Sequence, residues 1–220
     1  MPLCGLVEPA ADSRRLVLLL LGTRNSGKIE EATELLSGIP GLELLTFESR
    51  PFSDVEETGE TFLENALLKA RSICRETGLP VLSEDAGLEV VALDGAPGVR
   101  SARFSGEPVD VGRNNDLLVE KLRGIGDRRA RFVTVAALCM PDGQTFVTTG
   151  ILRGTIGAAC VGRGGFGYDP LFVPEGEQRT LAQMSLPEKN AISHRMRALL
   201  HMRAILTQLV AEGDLVERIE

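Results

Sequence analysis

Apolar residues in this chain follow two rhythms. An unbroken run at 16–21, Leu-Val-Leu-Leu-Leu-Leu, reads as a buried strand. From 28 to 36 the spacing changes: Ile29, Ala32, Leu35 and Leu36 fall on one face of a helix. Gly38-Ile39-Pro40-Gly41 ends that helix, and 42–47 predicts a second strand. A polar loop at 49–59 leads to the clearest helix. Thr61 with Glu64 three residues on is a capping box, and Phe62, Ala66, Leu67, Ala70, Ile73 and Cys74 make its apolar stripe. Gly78 and Pro80 close it. A short strand at 80–83 then enters a turn at Glu84-Asp85-Ala86-Gly87, and 88–93 follows as another strand before the Asp94-Gly95 turn. Residues 98–112 read as loop and 111–122 as helix. The stretches 131–140 and 145–151 flank Pro141-Asp142-Gly143, a hairpin signal. After a glycine-dense loop at 162–167, the chain closes on a helix striped by Met196, Leu199, Ile205 or Leu206, and Leu209. Strands mixed with helices, a hairpin among them, predict an α/β fold with a mixed sheet.

At 220 residues, 43% apolar and 25% charged, the composition is that of a globular protein with a full core. The net charge of −7 excludes a general nucleic-acid binder but not a nucleotide pocket. Four separated cysteines without a C-x-x-C pair read as reduced thiols of a cytoplasmic protein. Two histidines are too few for a histidine-rich metal centre, so a metal here calls for carboxylates, which suits magnesium or manganese. No apolar run approaches the ~20 residues of a membrane span. Residues 1–15 read as a flexible N-terminal extension, 16–212 as a single two-lobed domain, and 213–220 as a tail.

Four clusters carry candidate chemistry. Gly22, Gly27 and Lys28 meet the opening of the phosphate-loop pattern, but Ile29 stands where Ser or Thr would ligate magnesium. Either the loop lacks its metal ligand, or it grips phosphate by other means: Lys28 and the amides of a helix start. Asp85, beside Glu84 at the end of an apolar strand, lies where α/β folds place ligands. Glu56 and Glu57, ahead of the capped helix, could reach the same crevice, and carboxylates from two segments suit magnesium on a polyphosphate. Three of the nine aromatics fall between Phe166 and Phe172, around the only tyrosine, Tyr168. Glycines about Phe166 would let a flat ligand stack on it. In Lys189-Asn190-Ala191-Ile192-Ser193-His194-Arg195, Ser193 is a good N-cap, so a helix restarting there has two cations in its first turn. The macrodipole disfavours cations at that end, so they have something else to contact.

In this order, the clusters resemble the inosine triphosphate pyrophosphatase family over about 16–200. The matching motifs are Thr23, Asn25 and Lys28; Glu57-Thr58-Gly59-Glu60-Thr61-Phe62-Leu63-Glu64-Asn65-Ala66; Glu84-Asp85-Ala86-Gly87-Leu88; Gly95-Ala96-Pro97-Gly98-Val99; Ser101-Ala102-Arg103-Phe104; Phe166-Gly167-Tyr168-Asp169-Pro170; and Glu188 to Arg195. The resemblance implies an elongated mixed sheet flanked by helices, two lobes with a central cleft, a magnesium cofactor and a homodimer. It implies hydrolysis of ITP, dITP and XTP to the monophosphate and pyrophosphate. Asp85 would be the catalytic base and, with Glu56 or Glu57, a metal ligand. Thr23, Arg24, Asn25, Ser26, Gly27, Lys28 and Ala86 would bind substrate, as would Phe166, Gly167, Tyr168, Asp169, Lys189, His194 and Arg195. Phe166 would stack on the base, while Lys189, His194 and Arg195 would read an acceptor oxygen at purine position 6, where adenine carries a donor. Two positions depart from the pattern: Glu84 stands for an aspartate, and Ala86 for a serine. A phosphate-loop kinase and a non-catalytic nucleotide-binding module are the alternatives.

Overall fold

A computed structural model describes residues 16–213. The extension at 1–15 and all but the first residue of the tail lie outside the described residues. A six-stranded mixed sheet in the order β2-β1-β3-β4-β5-β6 forms the frame: β1 (Val17–Leu21), β2 (Leu42–Leu45), β3 (Val81–Val90), β4 (Arg129–Cys139), β5 (Thr145–Ile156) and β6 (Phe172–Pro174). β1 runs parallel to both β2 and β3, and the remaining pairs are antiparallel. Along β3 and β4 side chains alternate between faces. Leu82, Ala136 and Leu138 pack against α1 (Ser26–Leu36) and α5 (His194–Glu212). Val81, Val135 and Ala137 pack against α2 (Phe62–Thr77) on the other face. A third apolar cluster, at the far end of the long strands, gathers Leu88, Phe132, Tyr168 and Phe172 around α3 (Val111–Lys121).

The α/β expectation holds, and so does the capping box: Glu64 N donates to Thr61 Oγ1 at 3.1 Å, and Thr61 N to Glu64 Oε2 at 3.1 Å. The helix restart holds as well. α4 (Leu186–Ile192) stops at Ser193, whose hydroxyl accepts from Met196 N at the start of α5. Three expectations are corrected. Residues 84–87 form no turn; they lie mid-strand in β3, paired across to Val133–Ala136 of β4, and the strand extends to Val90. Val91–Leu93 is a 3₁₀ turn rather than strand, and the loop at 98–112 contains another at Gly98–Arg103.

The length mismatch between β1 and β3 positions the site. β1 pairs with β3 only at Leu20–Val81 and Leu21–Leu82, then leaves through Gly22 towards α1. From Ser83 to Gly87, β3 keeps β4 on one side and has no strand on the other. Gly22 must lack a side chain, because a Cβ there would lie 2.1 Å from Ser83 Oγ. Gly87 plays the same part for the 98–103 turn, where a Cβ would sit 2.6 Å from Gly98 O.

Candidate active site

A cavity of about 860 Å³ lies along this free edge. Because neighbouring strand residues point to opposite faces, Glu84 looks towards α1 and α5 while Asp85 looks towards α2, and both line the one cavity. On the first face Glu84 Oε1 accepts from Arg195 Nε at 2.7 Å and lies 3.4 Å from Lys28 Nζ. Arg195 Nη1 also donates to Glu31 Oε2 at 2.7 Å. Burial pushes the Glu84 carboxyl up, but Lys28 and Arg195 outweigh it and hold the group below its ordinary range. On the second face Lys69 Nζ bridges Glu57 Oε1 at 2.6 Å and Asp85 Oδ1 at 3.3 Å. Asn65, 1% exposed, accepts from Gly59 N at 2.8 Å and donates to Asp85 Oδ2 at 3.3 Å. It ties the loop carrying Glu57 to Asp85. Burial, with Glu57 nearby, raises the Asp85 carboxyl above its ordinary value despite Lys69 and Asn65.

The loop before α1 is self-supporting. Asn25 caps the helix by accepting from Lys28 N at 3.1 Å, and Thr23 Oγ1 accepts from Asn25 N at 3.2 Å. Thr23, Arg24, Asn25 and Lys28 line the cavity; Ser26 and Gly27, in the first turn of α1, do not. Arg24 lies over the Phe47 ring, 4.4 Å from its centroid, and donates to Phe52 O at 2.7 Å, which tethers the segment leading to Glu57. Ile29 packs against the core cluster beside α5, so no hydroxyl ligand follows Lys28.

At the opposite wall Phe166 is 61% exposed, between Gly165 (φ 72°) and Gly167 (φ 60°). Asp169 Oδ2 accepts from both Phe166 N at 2.9 Å and Lys189 Nζ at 2.6 Å. A Cβ on Gly165 would stand 2.0 Å from that oxygen. The Lys189 ammonium lies 4.4 Å from the Phe166 ring centroid, a cation–π contact that seats the ring. Tyr168 is buried and donates to Ser101 O at 2.8 Å. His194 stacks on Phe132, centroids 4.9 Å apart and nearly parallel. Burial and then Arg195, Lys189, Lys28 and Arg197 hold its imidazole well below the usual histidine range, so it is neutral near pH 7. Its Nδ1 has no partner among the described residues.

Two sequence expectations change here. Lys189 and Arg195 are held by carboxylates, and His194 is neutral, so the three are not a cluster of free cations. Asp85 does not end its strand; the strand end that opens the crevice belongs to β1. Glu56 and Glu57 both line the cavity, but only Glu57 meets Lys69 and, through it, Asp85. Among the described residues no group of three or more His, Cys, Asp or Glu forms a metal cage. The pair Glu57 and Asp85 nevertheless fits a divalent cation. Both carboxylates already converge on one positive charge, the Lys69 ammonium, and magnesium on a polyphosphate needs only one or two carboxylates.

Sequence reading assigned no site role to Lys69, Asn65, Glu31 or Arg103, although Asn65 and Arg103 fall within matching motifs. Lys69 and Asn65 had a signal: they interrupt the apolar stripe of α2 at the 62-65-69-73 spacing, where a buried polar group needs a partner. Arg103 lines the cavity with no acidic partner among the described residues.

The Ham1 family model matches residues 19–205. The chain belongs to the Ham1 family. It is 47% identical over 197 residues to a dITP/XTP pyrophosphatase of Streptomyces coelicolor, covering 87% of this chain and 98% of that one. A dITP/XTP pyrophosphatase of Deinococcus deserti is 48% identical over 190 residues, 84% of this chain and 88% of the other. Among solved structures, the Ham1 protein of Staphylococcus aureus superposes with a TM-score of 0.81 at 38% identity, over 90% of this chain and 99% of that one. The Ham1 family fold thus accounts for the mixed sheet with helices on both faces.

Proposed function

We propose that this chain hydrolyses non-canonical purine nucleoside triphosphates (ITP, dITP, XTP) between the α and β phosphates. The observation that carries the reading is the pair Glu84 and Asp85, consecutive on a free strand edge and facing two differently equipped sides of one cavity. The relatives named dITP/XTP pyrophosphatase support the same substrate class.

The base stacks on Phe166. Arg195 Nη2, which makes no bond to the described residues, and a neutral His194 N–H face the purine edge. An oxygen at position 6 accepts from these donors, whereas the amino group of adenine sets donor against donor. The triphosphate lies towards Lys28 and Lys69. Asp85 takes a proton from water as the oxygen attacks the α phosphorus; the bond from that phosphorus to the bridging oxygen breaks and pyrophosphate leaves. Glu57 and Asp85 would hold a magnesium ion, which supplies charge neutralisation on the phosphates and polarisation of the attacked group.

A kinase reading lacks the hydroxyl after Lys28, since Ile29 is turned into the core. The three free cysteines among the described residues accord with a reducing cytoplasm, and the family resemblance supports a homodimer, which light scattering checks. Incubation with ITP, GTP and ATP plus magnesium decides the main reading. IMP and pyrophosphate, formed far faster than GMP or AMP and lost in Asp85→Asn, are expected. IDP with free phosphate, or no turnover of any of the three, refutes it.

A further inference from the structure

Phe166 is a ring with little packing of its own, held in a loop whose neighbours on both sides are left-handed glycines. Such residues give the chain maximal freedom, so beyond the Lys189 ammonium 4.4 Å from its centroid the ring's position rests on bonds to the loop backbone. On the near side Asp169 takes the Phe166 N–H. On the far side the carbonyl of Gly167 accepts from Asn115 Nδ2 at 3.0 Å. Asn115 is 5% exposed and lies on α3, fifty-two positions away in sequence. α3 is a rigid mount. Asp110 caps it by accepting from Arg113 N, and Leu118 and Leu122 are fully buried in the cluster around Tyr168 and Phe172.

The Asn115 amide is otherwise poorly used. Its Oδ1 is buried with no partner among the described residues, a cost that a purely structural residue would shed. An apolar residue of similar volume would avoid the orphaned oxygen. What only an amide supplies is the donor to Gly167.

We propose that Asn115 is a positioning residue for nucleobase recognition: it fixes the Gly167 carbonyl, and thereby the Phe166 ring, against the base. This rests on the reading that Phe166 stacks on the base. Its effect should fall on binding, which ground state and transition state share, so KM moves and kcat does not.

Asn115→Leu in the full chain is the test, with Phe166→Ala and the double variant measured beside it. Loss of one neutral hydrogen bond predicts an ITP KM about fivefold higher, with kcat within about twofold. Thermal stability should stay equal or rise, because the orphaned Oδ1 is gone. In the double variant KM should equal that of Phe166→Ala alone, since the two act through one ring. A raised KM in Phe166→Ala with an unchanged KM in Asn115→Leu overturns the role of Asn115 and leaves base stacking standing. Additive effects in the double variant overturn it too. An unchanged KM in Phe166→Ala overturns both readings. Should Asn115→Leu fail to fold, Asn115→Asp decides: it keeps the shape but turns an acceptor towards the Gly167 carbonyl, and an unchanged KM there refutes the proposal.

Discussion

Gly150 lies on β5, outside the cavity, yet it should control activity. A Cβ at this position would stand 1.9 Å from His194 O and 2.6 Å from Ala198 N, both backbone atoms of the first turns of α5. Neither can rotate away, so the helix start must retreat by more than an ångström to reach ordinary contact. That start carries Ser193, His194 and Arg195, and Arg195 reaches Glu84 from it. Displacements of about 1 Å at a site typically cost about a hundredfold, and overpacking costs about 1–3 kcal/mol of stability. Gly150→Ala should therefore lower kcat/KM for ITP about a hundredfold while the protein stays folded at 25 °C. Gly154→Ala is the control. On the same strand, its Cβ would meet Val173 O at 2.3 Å and Phe172 ring carbons at 2.7 Å, in a region that does not line the cavity. It should destabilise comparably and leave kcat/KM within about threefold of wild type once folded. Steady-state kinetics and urea melts on both variants separate the effects. Equal activity losses in the two, or near-normal activity in folded Gly150→Ala, would refute the transmission through α5.

Three further outcomes are expected. His194 is depressed in the folded state, so the unfolded chain gains its proton first as pH falls. Stability should drop by about 1.4 kcal/mol per pH unit below ~6.5 until the folded group titrates; urea melts at pH 7.5 and 5.5 should show this slope in wild type and not in His194→Gln. Lys69→Met should cut kcat/KM for ITP about tenfold to a hundredfold, the range of a charge-assisted bond, and a loss under threefold would remove Lys69 from the phosphate site. Ala86→Ser returns a hydroxyl to the cavity wall and should lower KM about fivefold, checked by initial-rate kinetics; an unchanged KM would mean that position makes no contact.

Local signals in the sequence survived folding. The capping box of α2 and the Ser193 restart depend on a few neighbouring residues, and both are present. The misreading of 84–87 has a different origin. Asp and Gly are poor strand residues, and only the cross-strand partners Val133 to Ala136, some fifty positions away, hold them extended. β6 has three residues, too few to show any period. Motif order named the residues around the site, but not their pairings. That Arg195 would meet Glu84 and Glu31, or Lys69 would bridge Glu57 and Asp85, depends on which elements flank the unpaired edge of β3, and no linear spacing encodes it.

In the reading proposed above, the distance between the Phe166 wall and the two lysines also bears on how the reaction ends. A nucleotide held at its base from one side and at its phosphates from the other behaves as a bivalent ligand. Each half can bind weakly, because the covalent link gives the second contact a high effective concentration. Cleavage between the α and β phosphates cuts that link. Monophosphate and pyrophosphate are then two monovalent ligands, each gripped by its own half of the site, and the avidity that captured the substrate is gone at the moment the products form.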